Sequence, residues 1–312
     1  MKFKNLGNTG EKIPEIGLGT WKMGIDPEKE KSAIRKAIKL DMGFIDTAEM
    51  YGTEQIVGDA IKGEKGVFVA TKVSPHHFHY DDVIRSCNAS LKNLGVKQID
   101  LYQLHWPNHS IPIAETMRAM ERLADSGKIR HIGVSNFNLG EFEDAQHSMS
   151  KYEIVSNQVE YSILVRGVEK GMLEYCNRNN ITIIAYSPLA RGAIFDQKNS
   201  KLLALLDSIG RVHRKSAVQV ALNWLLEKKC VVAIPKAARA EHVAEIAGSS
   251  GWKLAKAEEL ELASLKERRK TLAGAFEPII KSSGAWAGIA HSLYKRRTKS
   301  HLKSRTTKSS KK

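Results

Sequence analysis

Eight short runs rich in apolar and β-branched residues recur within residues 1–267, at Glu15–Gly19, Gly43–Asp46, Gly66–Val73, Asp100–His105, His131–Ser135, Ile154–Val159, Thr182–Tyr186 and Cys230–Ile234. Between most of them lie stretches with apolar residues three and four apart, such as Val83, Ile84, Cys87 and Leu91, or Met117, Met120 and Leu123. A run apolar at nearly every position is a strand covered on both faces, and strands of that kind separated by helices build βαβ units on a parallel sheet. Eight units in about 250 residues fit a closed (β/α)8 TIM barrel better than an open doubly wound sheet. The glycines that follow the apolar periods, Gly43, Gly95 and Gly127, fit helix C-caps. The Phe3–Ile16 stretch, with GNTG inside it, reads as an N-terminal β-hairpin capping the barrel floor.

Charge divides the chain. The 312 residues carry 49 Lys and Arg against 34 Asp and Glu, a formal charge of +15. Residues 268–312 hold 13 of the bases and one acid, Glu277, which leaves 36 bases against 33 acids in residues 1–267. The expected organisation is one barrel domain over 1–267 and a basic, disordered extension over 268–312. The 295–312 tail is expected to bind polyanions weakly and in a salt-sensitive way, without base recognition. No apolar run reaches the roughly 18 residues of a membrane span, so no integral membrane association is expected. The start MKFKNLGNTG has no apolar core of a secretory signal. Three widely spaced cysteines form no CxxC pair, and a reducing cytoplasm and a monomer are expected.

Barrel sites form at the C-terminal ends of strands, so polar residues there carry the functional signal. The second run ends at Asp46 with Tyr51 shortly after it, the third places Lys72 at its end, and the fourth places His105. Singly, each has a structural explanation. Four at consecutive strand ends point to a site, because charges are costly to bury without purpose. The set suits carbonyl reduction. Tyr51 would donate the proton, with Lys72, held by Asp46, lowering its phenol pKa from about 10 toward neutrality. His105 would hydrogen-bond the substrate oxygen. No side chain supplies hydride, so a nicotinamide cofactor is implied. Yet no GxGxxG follows any strand, which argues against a Rossmann fold. His76, His77 and His79 in SPHHFHY read as a loop rather than a metal site, and no metal is expected. The stretches Asn108–Ile113 and Ala193–Ser200 are short for loops over a pocket, which predicts an open one.

At these residues the chain resembles the aldo-keto reductase family, in particular its prokaryotic diketogluconate-reductase-like members. The matching segments are GLGTW (17–21), GFIDTAEMYG (43–52), VFVATKV (67–73), DLYQLHWP (100–107), GKIRHIGVSNF (127–137), SNQVEY (156–161), AYSPLARG (185–192) and VVAIPKA (231–237). The resemblance implies the same tetrad, Asp46, Tyr51, Lys72 and His105, in an NAD(P)H-dependent aldehyde or ketone reductase. It also implies that Ser135, Asn136 and Gln158 hold the nicotinamide carboxamide, that Tyr186 stacks on the ring, and that Ser187, Leu189 and Gly192 wrap the pyrophosphate. Lys236 would meet a 2′-phosphate, which implies NADPH. Glu245 keeps the family's acid, but His242 and Ile246 stand at positions usually Arg and Asn, with Arg239 the replacement cation, so NADH is admitted too. Trp21 and Trp106 match positions that line the substrate pocket, with Met50 or Val73 beside them. The resemblance leaves a second reading open, a cofactor-binding regulatory module with little turnover.

Overall fold

The computed structural model describes residues 1–265, so the expectations for the basic extension lie outside the described residues. Two short antiparallel strands come first, β1 (Phe3–Asn5) and β2 (Lys12–Pro14), with Phe3 opposite Pro14 and Asn5 opposite Lys12. Eight parallel strands follow: β3 (Leu18–Gly19), β4 (Phe44–Asp46), β5 (Phe68–Val73), β6 (Ile99–Leu104), β7 (Ile129–Ser135), β8 (Ile154–Glu160), β9 (Thr182–Tyr186) and β10 (Val231–Ile234). They pair in sequence order. The circle closes through Gly17 N–H to Ala233 O (2.8 Å), Ala233 N–H to Glu15 O (3.0 Å) and Gly19 N–H to Pro235 O (3.1 Å). All eight expected strands are present, and the fold is a (β/α)8 barrel with a hairpin under it.

The helices form where the sequence supplies their ends. Helix α1 (Pro27–Lys39) opens on Asp26, whose side chain accepts from the Lys29 N–H, with Pro27 in the first turn and Lys36 and Lys39 in the last. The next four are α2 (Glu54–Ile61), α3 (Tyr80–Leu94), α4 (Ile113–Asp125) and α5 (Leu139–His147). Helix α5 carries a capping box between Asn138 and Glu141. After α6 (Met172–Arg178) come α7 (Ser200–His213) and α8 (Ala217–Leu226), the latter boxed by Ser216 and Gln219. Helices α9 (Ala240–Ala247) and α10 (Lys256–Ser264) follow the last strand. Gly95 ends α3 in the left-handed conformation, as expected. Gly43 does not cap α1. Asp41 takes that conformation instead (φ 59°), and Gly43 is needed because a Cβ there would lie 2.2 Å from Gly66 O.

Alternation along the strands sorts the barrel interior into layers. Phe44, Phe68, Leu101, Ile184 and Val232 point inward near the floor and pack with Leu6 and Ile13 of the hairpin region. Two residues on, the same parity reaches Asp46, Ala70, Gln103, Tyr186 and Ile234; four residues on, it reaches Lys72, His105 and Lys236. The outward parity (Ile45, Val69, Tyr102, Ile183, Val231) packs against the helices. Hydrophobic side chains therefore plug one end, and polar ones gather at the other.

Candidate active site

Lys72, 0% exposed, donates to Asp46 Oδ1 at 2.7 Å and to Thr47 O at 2.7 Å. Asp46 Oδ2 accepts from Gln158 Nε2 at 2.8 Å and, more weakly, from Gln103 Nε2 at 3.5 Å. Both carboxylate oxygens are thus satisfied, and the buried ion pair has the extra hydrogen bonds that such pairs require. Gln103 was not singled out from sequence. Its place two residues before His105 on the same strand puts it on the inward parity, and that spacing could have found it.

Tyr51 lies on a short 3-10 turn (Glu49–Tyr51) and meets His105 Nε2 with its Oη at 3.4 Å. The two rings meet edge to face with centroids 5.4 Å apart. Lys72 Nζ sits 5.0 Å from the Tyr51 ring centroid. The turn is anchored by Glu49, whose carboxylate accepts from the Ser74 N–H and faces His77 Nδ1 at 3.0 Å. His79 faces Glu115 at 3.1 Å. Two of the three loop histidines are thereby engaged with separate acids.

Electrostatics overturn one expectation. Burial pushes the Tyr51 phenol well above its usual value, and the negative charge of Asp46 pushes the same way, while Arg191 opposes them. The depression toward neutrality expected from Lys72 does not occur. Lys72's charge is spent on Asp46, and the cost of a buried phenolate decides the sign. Burial also lowers Lys72 itself, against the pull of Asp46. His105 falls well below 6.5 through burial and then the Lys72 charge, so it is a neutral imidazole at pH 7. Its Nδ1 is buried with no hydrogen-bond partner among the described residues.

Ser135, Asn136, Gln158 and Tyr186 form one chain beside the tetrad. Ser135 Oγ donates to Gln158 O at 2.9 Å, and the Asn136 N–H donates to the same carbonyl at 2.8 Å. The Asn136 amide donates to His105 O (3.1 Å) and Ser135 Oγ (3.0 Å), and the Tyr186 hydroxyl donates to Asn136 Oδ1 at 2.9 Å. Burial and Glu160 raise the Tyr186 phenol. Trp21 is 39% exposed after β3, and Trp106 is half-buried beside His105. Lys236 is exposed just past β10, and Arg239 Nη2 lies 3.3 Å from His242 Nε2 at the start of α9. Glu245 is directed elsewhere: its carboxylate accepts from the Ser216 hydroxyl at 2.7 Å, at the cap of α8.

Backbone strain marks the same rim. Among the described residues, eight non-glycine residues have positive φ. Asp41, Asn180 and Arg214 lie at or next to the C-caps of α1, α6 and α7. The other five, Lys22, Asn136, Ser187, Ala190 and Arg191, follow the ends of β3, β7 and β9. A left-handed non-glycine residue costs on the order of 1–2 kcal/mol, and such residues persist where function shapes a loop. The loop Ser187–Gly192, with four positive φ values, can turn several N–H groups to one side.

The aldo/keto reductase family matches this chain over residues 15–267. The methylglyoxal reductase YeaE of Escherichia coli (strain K12) is 38% identical over 267 residues, covering 83% of this chain and 93% of that protein. The solved structure of the thermostable aldo-keto reductase Tm1743 with the inhibitor epalrestat superposes with a TM-score of 0.80. It is 42% identical and covers 85% of this chain and 99% of its own. An aldo-keto reductase from Klebsiella pneumoniae in complex with NADPH has a TM-score of 0.79 and 33% identity, covering 86% and 98%. With barrel, strand-end cluster and relatives in agreement, the chain belongs to the aldo/keto reductase family.

Proposed function

We propose that the protein reduces small aldehydes and ketones to alcohols with NADPH, and accepts NADH as well. The observation that carries this reading is the buried Lys72–Asp46 pair beneath a protonated Tyr51, itself against a neutral His105. When bound, the nicotinamide supplies hydride to the substrate's carbonyl carbon. The chain's own residues do the rest. Tyr51 Oη, held protonated by burial, donates its proton to the carbonyl oxygen as the alkoxide forms. His105 Nε2, within reach of the same oxygen position, orients it by hydrogen bonding. Asp46 fixes Lys72, whose Nζ lies 5.0 Å from the Tyr51 ring centroid and offsets only part of the cost of the phenolate left once the proton has gone.

The residues fit such a cofactor. Ser135, Asn136 and Gln158 offer amide and hydroxyl groups for a carboxamide in exchange for their present internal bonds. Tyr186 offers a half-buried aromatic ring, and Ser187, Leu189 and Gly192 belong to the strained loop that would wrap the diphosphate. Lys236 and Arg239 would meet a 2′-phosphate. With Arg239 paired to His242 and Glu245 bonded to Ser216, the adenosine end has fewer dedicated partners, which supports use of both cofactors. Trp21 and Trp106 would line the substrate pocket. The E. coli relative's name supports a small α-dicarbonyl among the substrates, and the Klebsiella complex supports NADPH.

The test is NADPH oxidation by the full chain with methylglyoxal. Tyr51→Phe is expected to abolish turnover while leaving NADPH binding intact, and an active Tyr51→Phe enzyme rejects Tyr51 as the acid. The values of kcat/KM with NADPH and NADH should differ by less than about a thousandfold, or roughly 4 kcal/mol. A chain that binds NADPH but oxidises it with no carbonyl would instead fit the regulatory module.

A further inference from the structure

Trp21 carries a cation on each of two neighbours. Lys22 Nζ lies 4.2 Å and Arg191 Cζ 5.1 Å from its ring centroid. Arg191 comes from the loop after β9 and sits in the left-handed region (φ 57°) between Ala190 (49°) and Gly192 (89°). A conformation that β-carbon sterics disfavour fixes where this long side chain begins. Its guanidinium is then steadied from a second direction, with Nε 3.9 Å from Oε1 of Glu160 at the end of β8. The Glu160 side chain is 4% exposed and that of Arg191 26%, so the acid lies in the wall and the guanidinium reaches toward the opening. At 3.9 Å the pair is a Coulombic contact, longer than a hydrogen bond, and it leaves the planar fork able to bind an anion.

The charge bears on the chemistry. Arg191 lowers the phenol pKa of both Tyr51 and Tyr186 against the larger effect of burial, so its field reaches the proton donor. Neither the tetrad nor the cofactor contacts proposed above make use of it. Lys72 is neutralised by Asp46 in the buried layer below. A neutral α-dicarbonyl would draw little from a guanidinium poised here, whereas a carboxylate would gain a bidentate, charge-assisted pair.

We infer that Arg191, set against Trp21 and Glu160, is a specificity-determining residue that binds the carboxylate of an anionic carbonyl substrate, an aldehyde or ketone carrying a carboxylic acid. The inference rests on the reductase reading of the site and adds a substrate class to it. It is tested with two substrates of nearly equal shape, 4-carboxybenzaldehyde and its neutral methyl ester, on the full chain with saturating NADPH. The wild-type enzyme should favour the acid. Arg191→Met should lower the acid-to-ester ratio of kcat/KM at least about tenfold, mainly through KM, as expected for a charge-assisted pair. Arg191→Lys should restore part of the ratio. An unchanged ratio overturns the inference. So does an equal loss on both substrates with weakened NADPH binding, which would assign the guanidinium to a cofactor phosphate. Binding of 4-carboxybenzaldehyde, followed by tryptophan fluorescence, is read in parallel. If the wild-type chain reduces neither aldehyde, the reductase reading fails. In that case binding lost in Arg191→Met still supports the anion site, and binding unchanged in that variant rejects it.

Discussion

Replacing Asp46 by Asn removes the charge that justifies burying Lys72 and keeps the shape. Lys72 is 0% exposed, and its remaining acceptor is the Thr47 carbonyl at 2.7 Å. An unpaired buried ammonium escapes by losing its proton. At pH 7, for a reference pKa near 10.4, that costs at most about 4.6 kcal/mol at 1.36 kcal/mol per unit, less the part that burial already takes in the wild type. The figure lies within the roughly 3–5 kcal/mol found when a buried pair loses one member. The escape route has a signature. In the variant the folded chain has given up this proton and the unfolded chain keeps it until about pH 10.4, so stability rises with pH. The deficit against wild type should shrink by about 1.4 kcal/mol between pH 7 and pH 8. Urea unfolding followed by tryptophan fluorescence at the two pH values measures it. The further change Lys72→Met should recover most of the loss, because an apolar side chain of similar length needs no partner. A deficit under about 1.5 kcal/mol with no pH trend would refute the reasoning, since the ammonium would then have another anion or water.

Other parts of the structure yield further expectations. His105 is neutral when folded, while the unfolded chain takes up a proton at this residue below about pH 6.5. Stability present above that pH is lost as pH falls. Between pH 6.5 and 5 wild type should lose up to about 2 kcal/mol that His105→Gln does not, readable from urea midpoints. Because burial raises Tyr51, the proposed donor stays protonated, and kcat/KM for reduction should hold through pH 9 rather than fall near neutrality. A pH–rate profile declining between pH 7 and 8 would show a lowered phenol instead. Leu6 is 0% exposed at the floor, so Leu6→Ala should cost about 2–5 kcal/mol in urea unfolding while leaving kcat at 25 °C unaltered.

The eight strands were legible because burial on both faces writes itself as a continuous apolar run, which short turns cannot imitate. The gathering of Asp46, Tyr51, Lys72 and His105 was legible because a barrel brings strand ends together whatever the loops do. Loop conformation and net electrostatics were not. Arg191 enters the site only through the left-handed turn of its own loop, and Glu245 turns to Ser216, 29 residues away, which no local pattern announces. The sign of the Tyr51 shift was misread for a related reason. Sequence identifies a lysine nearby, but whether its charge is still available depends on the 2.7 Å bond to Asp46. Gly43 shows the opposite limit: a C-cap and a close backbone approach both call for glycine, and only the distance to Gly66 separates them.

Register ties the chemistry to the fold. Asp46 lies opposite Ala70 and Lys72 opposite Gln103, so the acid is one inward step lower in the barrel than the base that it holds. The lysine can then reach down to Oδ1 while Gln158 approaches Oδ2 from β8 across the interior. A slip of one residue in β4 or β5 would turn Asp46 or Lys72 out against the helices and bring Ile45, or Thr71 or Val73, inward. The floor resists that slip, because Phe44 and Phe68, the residues that fix the inward parity of these strands, pack edge to face with centroids 5.6 Å apart. The aromatic pair two and four residues below the charges is therefore part of what keeps the Asp46–Lys72 pair assembled.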